Sequence, residues 1–306
     1  MKLKVTRISA LTGHKGSVYA LCNGLTPETF FSGSSDKLAV LWNLNSLQPD
    51  DFVVALPAIV YALCYIPEKN LLLAGTATGA IHIIDTVSRK EIKTLQLHSS
   101  AVFDIQYSVL TDSFYTAGAD GNFVIGSLSS LSATVIKKLC NEKVRSISIN
   151  YTTSEIAVAS ADCLIRIFEL HTLAPKHEFA AHTLSANAVC YSPDGMRLLS
   201  GGRDAFLNCW DAKTYELIKS IPAHNFAIYD IVFSPDHTLF ATASRDKTIK
   251  IWDANTCHLL FRISKENFEG HLNSVNKLIW SQYNNYLIST GDDRAIMIWD
   301  VQPCDE

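Results

Sequence analysis

The stretch IYDIVFSPDHTLFATASRDKTIKIWDANTCHLLFRI, residues 228–263, decides the fold. It holds four short apolar runs, at 228–233, 239–243, 248–252 and 258–263, rich in Ile, Val, Phe and Leu. Runs of this length and composition read as strands rather than helices. Turn-formers separate them. SPDH puts proline and aspartate where a type I turn wants them, SPDG at 192–195 repeats the device, and SRDK reads as a second tight turn.

Outward from this stretch the pattern recurs. Steps of 42 residues forward from Trp42 land on Ile84, Gly126, Phe168, Trp210 and Trp252, and one step of 47 reaches Trp299. The same steps from Asp36 land on Thr78, Asp120, Asp162, Asp204, Asp246 and Asp293. Both series give seven units with a period of the length of one propeller blade.

With IKIWDA (249–254), IMIWDV (296–301) and NCWDA (208–212), preceded by GHKGSV (13–18) and GHLNSV (270–275), the chain resembles the WD-repeat family of seven-bladed β-propellers. The resemblance covers essentially the whole chain. It implies an all-β fold of four-stranded antiparallel blades, one domain over residues 1–306. Unit 2 lacks the motif His, Asp and Trp, and unit 4 lacks the His and Trp. The last unit shows three strands, near 275–280, 286–289 and 295–300, whereas residues 3–10 form an orphan strand before the first His loop. That strand is expected to complete the seventh blade and close the ring.

A histidine, a hydroxyl and an aspartate recur together, which raises the possibility of a hydrolytic triad. The sets are His14/Ser32/Asp36, His98/Thr116/Asp120, His182/Ser200/Asp204, His224/Thr242/Asp246 and His271/Ser289/Asp293, with Trp42, Trp210, Trp252 and Trp299 completing four of them. Where the His position becomes Leu56 or Cys140, the hydroxyl position becomes Ala74 or Val158. His and hydroxyl are thus present or absent together, so each depends on the other. The ring can donate to the carboxylate and accept from the hydroxyl, which can accept in turn from an indole N–H. Five equivalent copies argue for a structural relay, and the resemblance implies the family's structural tetrad. A triad would need one exposed nucleophile and an oxyanion hole. The spacing also puts the histidines on separate blades, away from any shared metal. His82, His171, His177, His237 and His258 share no spacing and read as ordinary surface groups.

The resemblance further implies that partners meet the top face, near the channel mouth, through residues just after the His loop and just before the turn Asp. Five residues after the His position stand Tyr19, Tyr61, Phe103, Arg145, Asn187, Tyr229 and Asn276. Ile59 and Lys143 lie three residues after it, and Arg203, Arg245 and Asp292 precede the turn Asp. Units 1 to 3 offer an aromatic arc and units 4 to 6 a cationic one. Such a surface suits a peptide with a hydrophobic anchor and an acidic group nearby. A channel plug of aromatics is the alternative. The loop SKENFEG (264–270) carries the five extra residues of the long step, and Phe268 is either a mobile anchor or a cover for the blade edge.

Net charge is −4, too near neutral for a dedicated nucleic-acid binder. No apolar run reaches the roughly 20 residues of a membrane helix, and no export signal is read at the N-terminus. Eight cysteines form no C-x-x-C pair, and Cys22, Cys64 and Cys190 share one position inside apolar runs. They read as free thiols in a reducing, cytoplasmic setting. The expectation is therefore a non-enzymatic interaction scaffold without cofactor or metal, a monomeric propeller within a complex, binding a protein or peptide. A propeller enzyme or small-molecule or metal site at the channel mouth is the alternative, with Asp292 its only acid among those positions. A nucleic-acid-associated subunit is the further one.

Overall fold

A computed structural model describes residues 2–304. They build seven four-stranded antiparallel sheets, the blades of a seven-bladed β-propeller. Blade 1 runs through Val18–Asn23, Thr29–Ser34, Leu38–Asn43 and Gln48–Ala55. Blades 2 to 6 occupy 60–96, 102–138, 144–180, 186–222 and 228–263. Within blade 6 the strands are Ile228–Phe233, Leu239–Ser244, Ile249–Asp253 and Leu259–Ile263. Blade 7 takes three strands from the end of the chain and its fourth from the beginning. Lys2–Leu11 pairs with Ile296–Cys304, Leu11 opposite Ile296 and Lys2 opposite Cys304. Both ends of the described chain thus share one sheet, as expected of the orphan strand.

By compactness the described residues fall into two units, one spanning Val60–Ala223 and one formed by the residues up to Ile59 with those from His224 onward. In the first, buried side chains of successive blades interleave: Ile81 and Ile83 of blade 2 with Ile105 and Phe114 of blade 3, and Phe123 of blade 3 with Ile147 and Phe168 of blade 4. In the second, Leu3 and Val5 of the closing strand join Ile249 and Ile251 of blade 6 and Trp299 of blade 7. A single blade has too little apolar surface to bury alone, so each core is shared between neighbours. Blade 3 shows how the period survives loss of the tryptophan. Its Trp position is Gly126, and a β-carbon there would lie 1.9 Å from Cζ of Phe114. The Phe114 ring fills the space.

One irregularity recurs in every blade. The register between first and second strands shifts at Val18/Ala20, Val60/Ala62, Val102/Asp104, Val144/Ser146, Ala186/Ala188, Ile228/Asp230 and Val275/Lys277. Each shift is a β-bulge with one extra residue on the first strand. Among the described residues no helix is long and apolar enough to cross a membrane.

Candidate functional site

The five His sets are hydrogen-bonded relays. In blade 1, His14 Nδ1 lies 2.8 Å from Asp36 Oδ2 and Nε2 lies 2.7 Å from Ser32 Oγ, while Trp42 Nε1 donates to the same hydroxyl at 2.7 Å. Blade 6 repeats this with His224–Asp246 at 2.9 Å, His224–Thr242 at 2.8 Å and Trp252–Thr242 at 3.0 Å. In blades 5 and 7 the His–Asp contacts are 3.0 Å for His182–Asp204 and 2.9 Å for His271–Asp293, with Trp210 and Trp299 each donating to the serine at 2.9 Å. His98 bonds Asp120 at 2.9 Å and Thr116 at 2.7 Å. Each aspartate also accepts a backbone N–H from the residue after its histidine: Lys15, Ser99, Thr183, Asn225 and Leu272. The loop before a blade is thereby tied to the turn inside it.

Electrostatics follow from this geometry. Burial alone would raise these carboxyls, but the histidine and backbone N–H groups outweigh it. Asp204 is lowered to about 2, and Asp36, Asp120, Asp246 and Asp293 also lie below the usual range. Burial lowers His224, against the pull of Asp246. The hydroxyls Ser32, Thr116, Ser200, Thr242 and Ser289 are each 0% exposed. A hydroxyl sealed between a histidine and a core cannot meet a substrate carbonyl, so the triad reading fails in all five blades. Among the described residues no three His, Cys, Asp or Glu side chains converge as ligands of one ion.

Blades 2 and 4 solve the same local problem differently. In blade 4, Arg166 reaches Asp162 through Nη2 at 2.7 Å and Nη1 at 3.3 Å, gives Nη1 to Ser160 Oγ at 2.8 Å, and pairs through Nε with Glu178 at 2.6 Å. Cys140 donates its thiol to the Glu142 carbonyl at 3.2 Å. In blade 2 the equivalent of Arg166 is His82, which is buried, with Nδ1 3.2 Å from Glu91 Oε2. This corrects the expectation that His82 is an ordinary surface group: its strand faces the core, so its ring packs inside and pairs with the outer strand. Both residues stand four places after the turn position, in third strands that otherwise alternate apolar residues. The same place holds Asn208 and Lys250 in blades that keep the histidine, so a polar residue there does not by itself mark the substitution.

The bulges organise the candidate contact residues. The skipped residue in each first strand is Tyr19, Tyr61, Phe103, Arg145, Asn187, Tyr229 or Asn276, the complete series five places after the His position. A bulge re-aims one side chain out of the ladder, which is how a strand at the core can present a residue at a site. Within the Val60–Ala223 unit, Tyr61 meets Phe103 edge-on at 5.8 Å between centroids, the Arg145 guanidinium lies 4.8 Å over the Phe103 ring, and Lys143 Nζ lies 6.0 Å from it. Lys143 and Arg203 are exposed, whereas Asn187 is buried, its Oδ1 accepting from Ser185 Oγ at 2.8 Å.

Within the other unit, Tyr19, Tyr229 and Ile59 are half-buried and Arg245 is exposed. Asn276 donates to the Val18 carbonyl at 3.1 Å and so ties blade 7 to blade 1, while Asp292 Oδ1 accepts from the same amide at 2.9 Å. The Arg245 guanidinium lies 5.8 Å from the ring centre of Phe226, which is 57% exposed. Phe226 was missed in the sequence, although an aromatic in a His loop of otherwise small or polar residues was the sign. Phe268 folds back onto Phe261, 5.0 Å between centroids, and packs on the core of blades 6 and 7. Also unread were two ties between successive blades: Asp104 accepts the Ile147 N–H at 2.8 Å, and Asp230 accepts the Leu278 N–H and Lys277 Nζ, each at 2.8 Å.

The chain is 24% identical over 239 residues to human striatin-4, covering 72% of this chain and 32% of that protein. It is 25% identical to human WD repeat-containing protein 3, covering 56% of this chain and 19% of that protein. It is 30% identical to mouse WD repeat-containing protein 90, covering 60% and 10%. The chain spans less than half the length of these relatives. The model of the WD domain, G-beta repeat, matches residues 5–43, 173–211, 215–253 and 263–300, just over half of the chain. With seven blades and five His relays at the repeat spacing, the chain belongs to the WD-repeat family.

Proposed function

We propose that this chain is a non-enzymatic docking module that takes a peptide or protein segment on the face formed by its His loops and bulges. WD-repeat propellers generally mediate protein–protein interaction. The observation that carries the reading here is the cluster of Tyr61, Phe103, Arg145 and Lys143 on consecutive bulges and the adjoining loop. Two aromatic rings supply apolar area at low entropy cost, and the cations beside them suit a carboxylate or phosphate. An arginine over an aromatic face is also held ready, which reduces the ordering cost of binding. The eight cysteines are all free thiols, which suits a reducing setting such as the cytoplasm.

Affinity capture tests the proposal, with wild type beside Tyr61→Ala/Arg145→Ala and melting curves run on both. The expected result is a partner retained by wild type and lost by the folded variant. Identical partner sets would overturn the assignment of this face. An enzymatic reading is less well supported, because Asp292 is already bonded to Asn276.

A further inference from the structure

The strand that closes the ring is an edge strand. Lys2–Leu11 pairs on one side with Ile296–Cys304 and ends its sheet, so among the described residues no strand covers its other side. Its ladder is also interrupted. The register slips between Arg7 and Ser9, and Ile8 stands opposite no residue and is 39% exposed. A strand paired on one side only, with a bulge within it, is a place where local opening starts. The long connection between blades 6 and 7, residues 264–270, carries the five extra residues of the 47-residue step. It is a compact turn: the Phe268 and Gly270 N–H groups both donate to the Ser264 carbonyl, at 3.1 and 3.2 Å, around the helical turn Lys265–Phe268. This turn meets the closing strand in two ways. Arg7 Nη1 donates to the Glu269 carbonyl at 2.8 Å and Nη2 pairs with the Glu269 carboxylate, directly beside the register slip. Phe268, resting on Phe261, packs against the core cluster that includes Leu3 and Val5.

We propose that the 264–270 turn is a latch on the closing strand: it sets how often Lys2–Leu11 lifts from blade 7, and ionic strength sets how firmly it holds. The catch is an exposed ion pair, with the Arg7 and Glu269 side chains 31% and 81% exposed, so dissolved ions weaken it. The apolar side of the latch, Phe268 on its seat, is not weakened by salt and keeps the turn in place. When the closing strand lifts, Ile296–Cys304 becomes an edge whose backbone groups can pair with an added strand. The latch therefore also decides how often that edge is bare.

Amide exchange on the full chain tests this, read at the amides of Lys2–Leu11 that bond to Ile296–Cys304 and, as a reference, at the strands of blade 3. In wild type, raising salt from ~0.05 M to ~0.5 M speeds exchange of the closing strand roughly threefold and leaves blade 3 as it was. Arg7→Ala shows the fast rate already at low salt, and its closing strand no longer responds to salt. Glu269→Gly lies between the two, because it keeps the carbonyl that Arg7 bonds. Glycine suits the left-handed backbone at that position, φ 49°, so the turn keeps its course. Lys4→Ala, an exposed change on the same strand, behaves as wild type. A closing strand that exchanges in Arg7→Ala as slowly as in wild type at low salt overturns the proposal. So does a salt response in Arg7→Ala as large as that of wild type, which would give the effect to the other charges of the strand. Should Arg7→Ala not fold, Glu269→Gly carries the test, since it leaves the closing strand's own sequence intact, and unchanged exchange in that variant overturns the latch.

Discussion

Blades 4 and 6 keep the same turn carboxylate and hold it in different ways. In blade 6, Asp246 accepts from His224, from the Asn225 N–H at 3.0 Å and from the Thr248 N–H and hydroxyl at 3.0 and 2.6 Å. The bonds run backward to the loop before the blade. In blade 4, Asp162 accepts from Arg166 and the Leu164 N–H, and Arg166 passes on to Glu178 in the outer strand. These bonds run outward along the sheet. The difference shows that the repeat needs its turn carboxylate satisfied and tolerates more than one cationic or hydrogen-bonding partner. What changes is whether the preceding loop is tied down.

The largest effect is expected from removing the carboxylate where it holds most. Asp246→Ala takes the carboxylate from the buried His224 ring, leaving its Nδ1 only the Thr248 hydroxyl at 3.2 Å, and also frees the Thr248 N–H, which together should cost about 3 kcal/mol. Asp162→Ala should cost about 1–2 kcal/mol, because Arg166 keeps Glu178 and is close enough to water to recover a partner. Urea unfolding of the two variants measures both. Equal losses would break the comparison and make the Arg pair a full substitute for the relay.

Acid separates the blades next. His224 has a folded value lowered by burial from the ordinary 6.5. Just below that pH the unfolded chain takes up a proton that the folded chain refuses, so stability falls as pH drops through this window. Asp246 and Asp204 have lowered values, so their contribution is lost in a second window, below the ordinary 3.8; for Asp204 it extends to about 2. Arg166 keeps its charge throughout, so the tie on Asp162 in blade 4 holds through the first window. Hydrogen exchange followed from about pH 7 to about pH 5, corrected for intrinsic rates, should show blade 6 loosening before blade 4. Simultaneous loosening would assign the acid sensitivity to the whole chain rather than to the relays.

Much of this architecture was legible because the signals are periodic. Asp recurs in six of the seven units and Trp in four, at steps of 42 with a single one of 47, and the joint loss of His and hydroxyl in units 2 and 4 exposes the relay without any structure. The closing strand followed from counting three strands where four were needed. What stayed hidden was compensation. Arg166 replaces a missing histidine from a different strand, 26 residues beyond Cys140, and only the fold brings it to Asp162. Phe114 fills the gap over Gly126 in the same fashion. His82 read as surface because a lone histidine carries no facing information until its strand is known to pack on both sides. The contact series was readable by spacing from the histidine, but the bulges that give those side chains a common orientation are register facts.

The untied loop of blade 4 leads to a smaller effect. The Asn225 N–H of blade 6 is held by Asp246, whereas its counterpart at Asn141 has no hydrogen-bond partner among the described residues. The Asn141 amide should therefore exchange faster than Asn225, a difference read by amide exchange at neutral pH. Cys140→His should not slow it unless Arg166 is also changed to Val, because Arg166 already occupies the Asp162 carboxylate. A loop that slows with the single substitution would mean that the two partners can share the carboxylate.

The smallest stability effect belongs to the bulge residues. Tyr61 and Arg145 stand at bulges, opposite no residue of the second strand, so truncating their side chains leaves the sheet pairing intact. The Arg145 and Phe103 contact is partly solvated, and such a pair contributes about 0.5–1 kcal/mol. Tyr61→Ala/Arg145→Ala should therefore leave the unfolding midpoint nearly unchanged, within about 1 kcal/mol of wild type, while Thr242→Val in blade 6 lowers it clearly. That ordering is what a surface kept for contact predicts. A residue that plugs the interior would also cost stability, not through an unmatched hydrogen bond as at Thr242 but through a cavity that its neighbours can only partly fill. A large loss for the double variant would thus give the aromatic cluster to packing, and a negligible one would leave recognition as the reason these side chains are held out of the ladder.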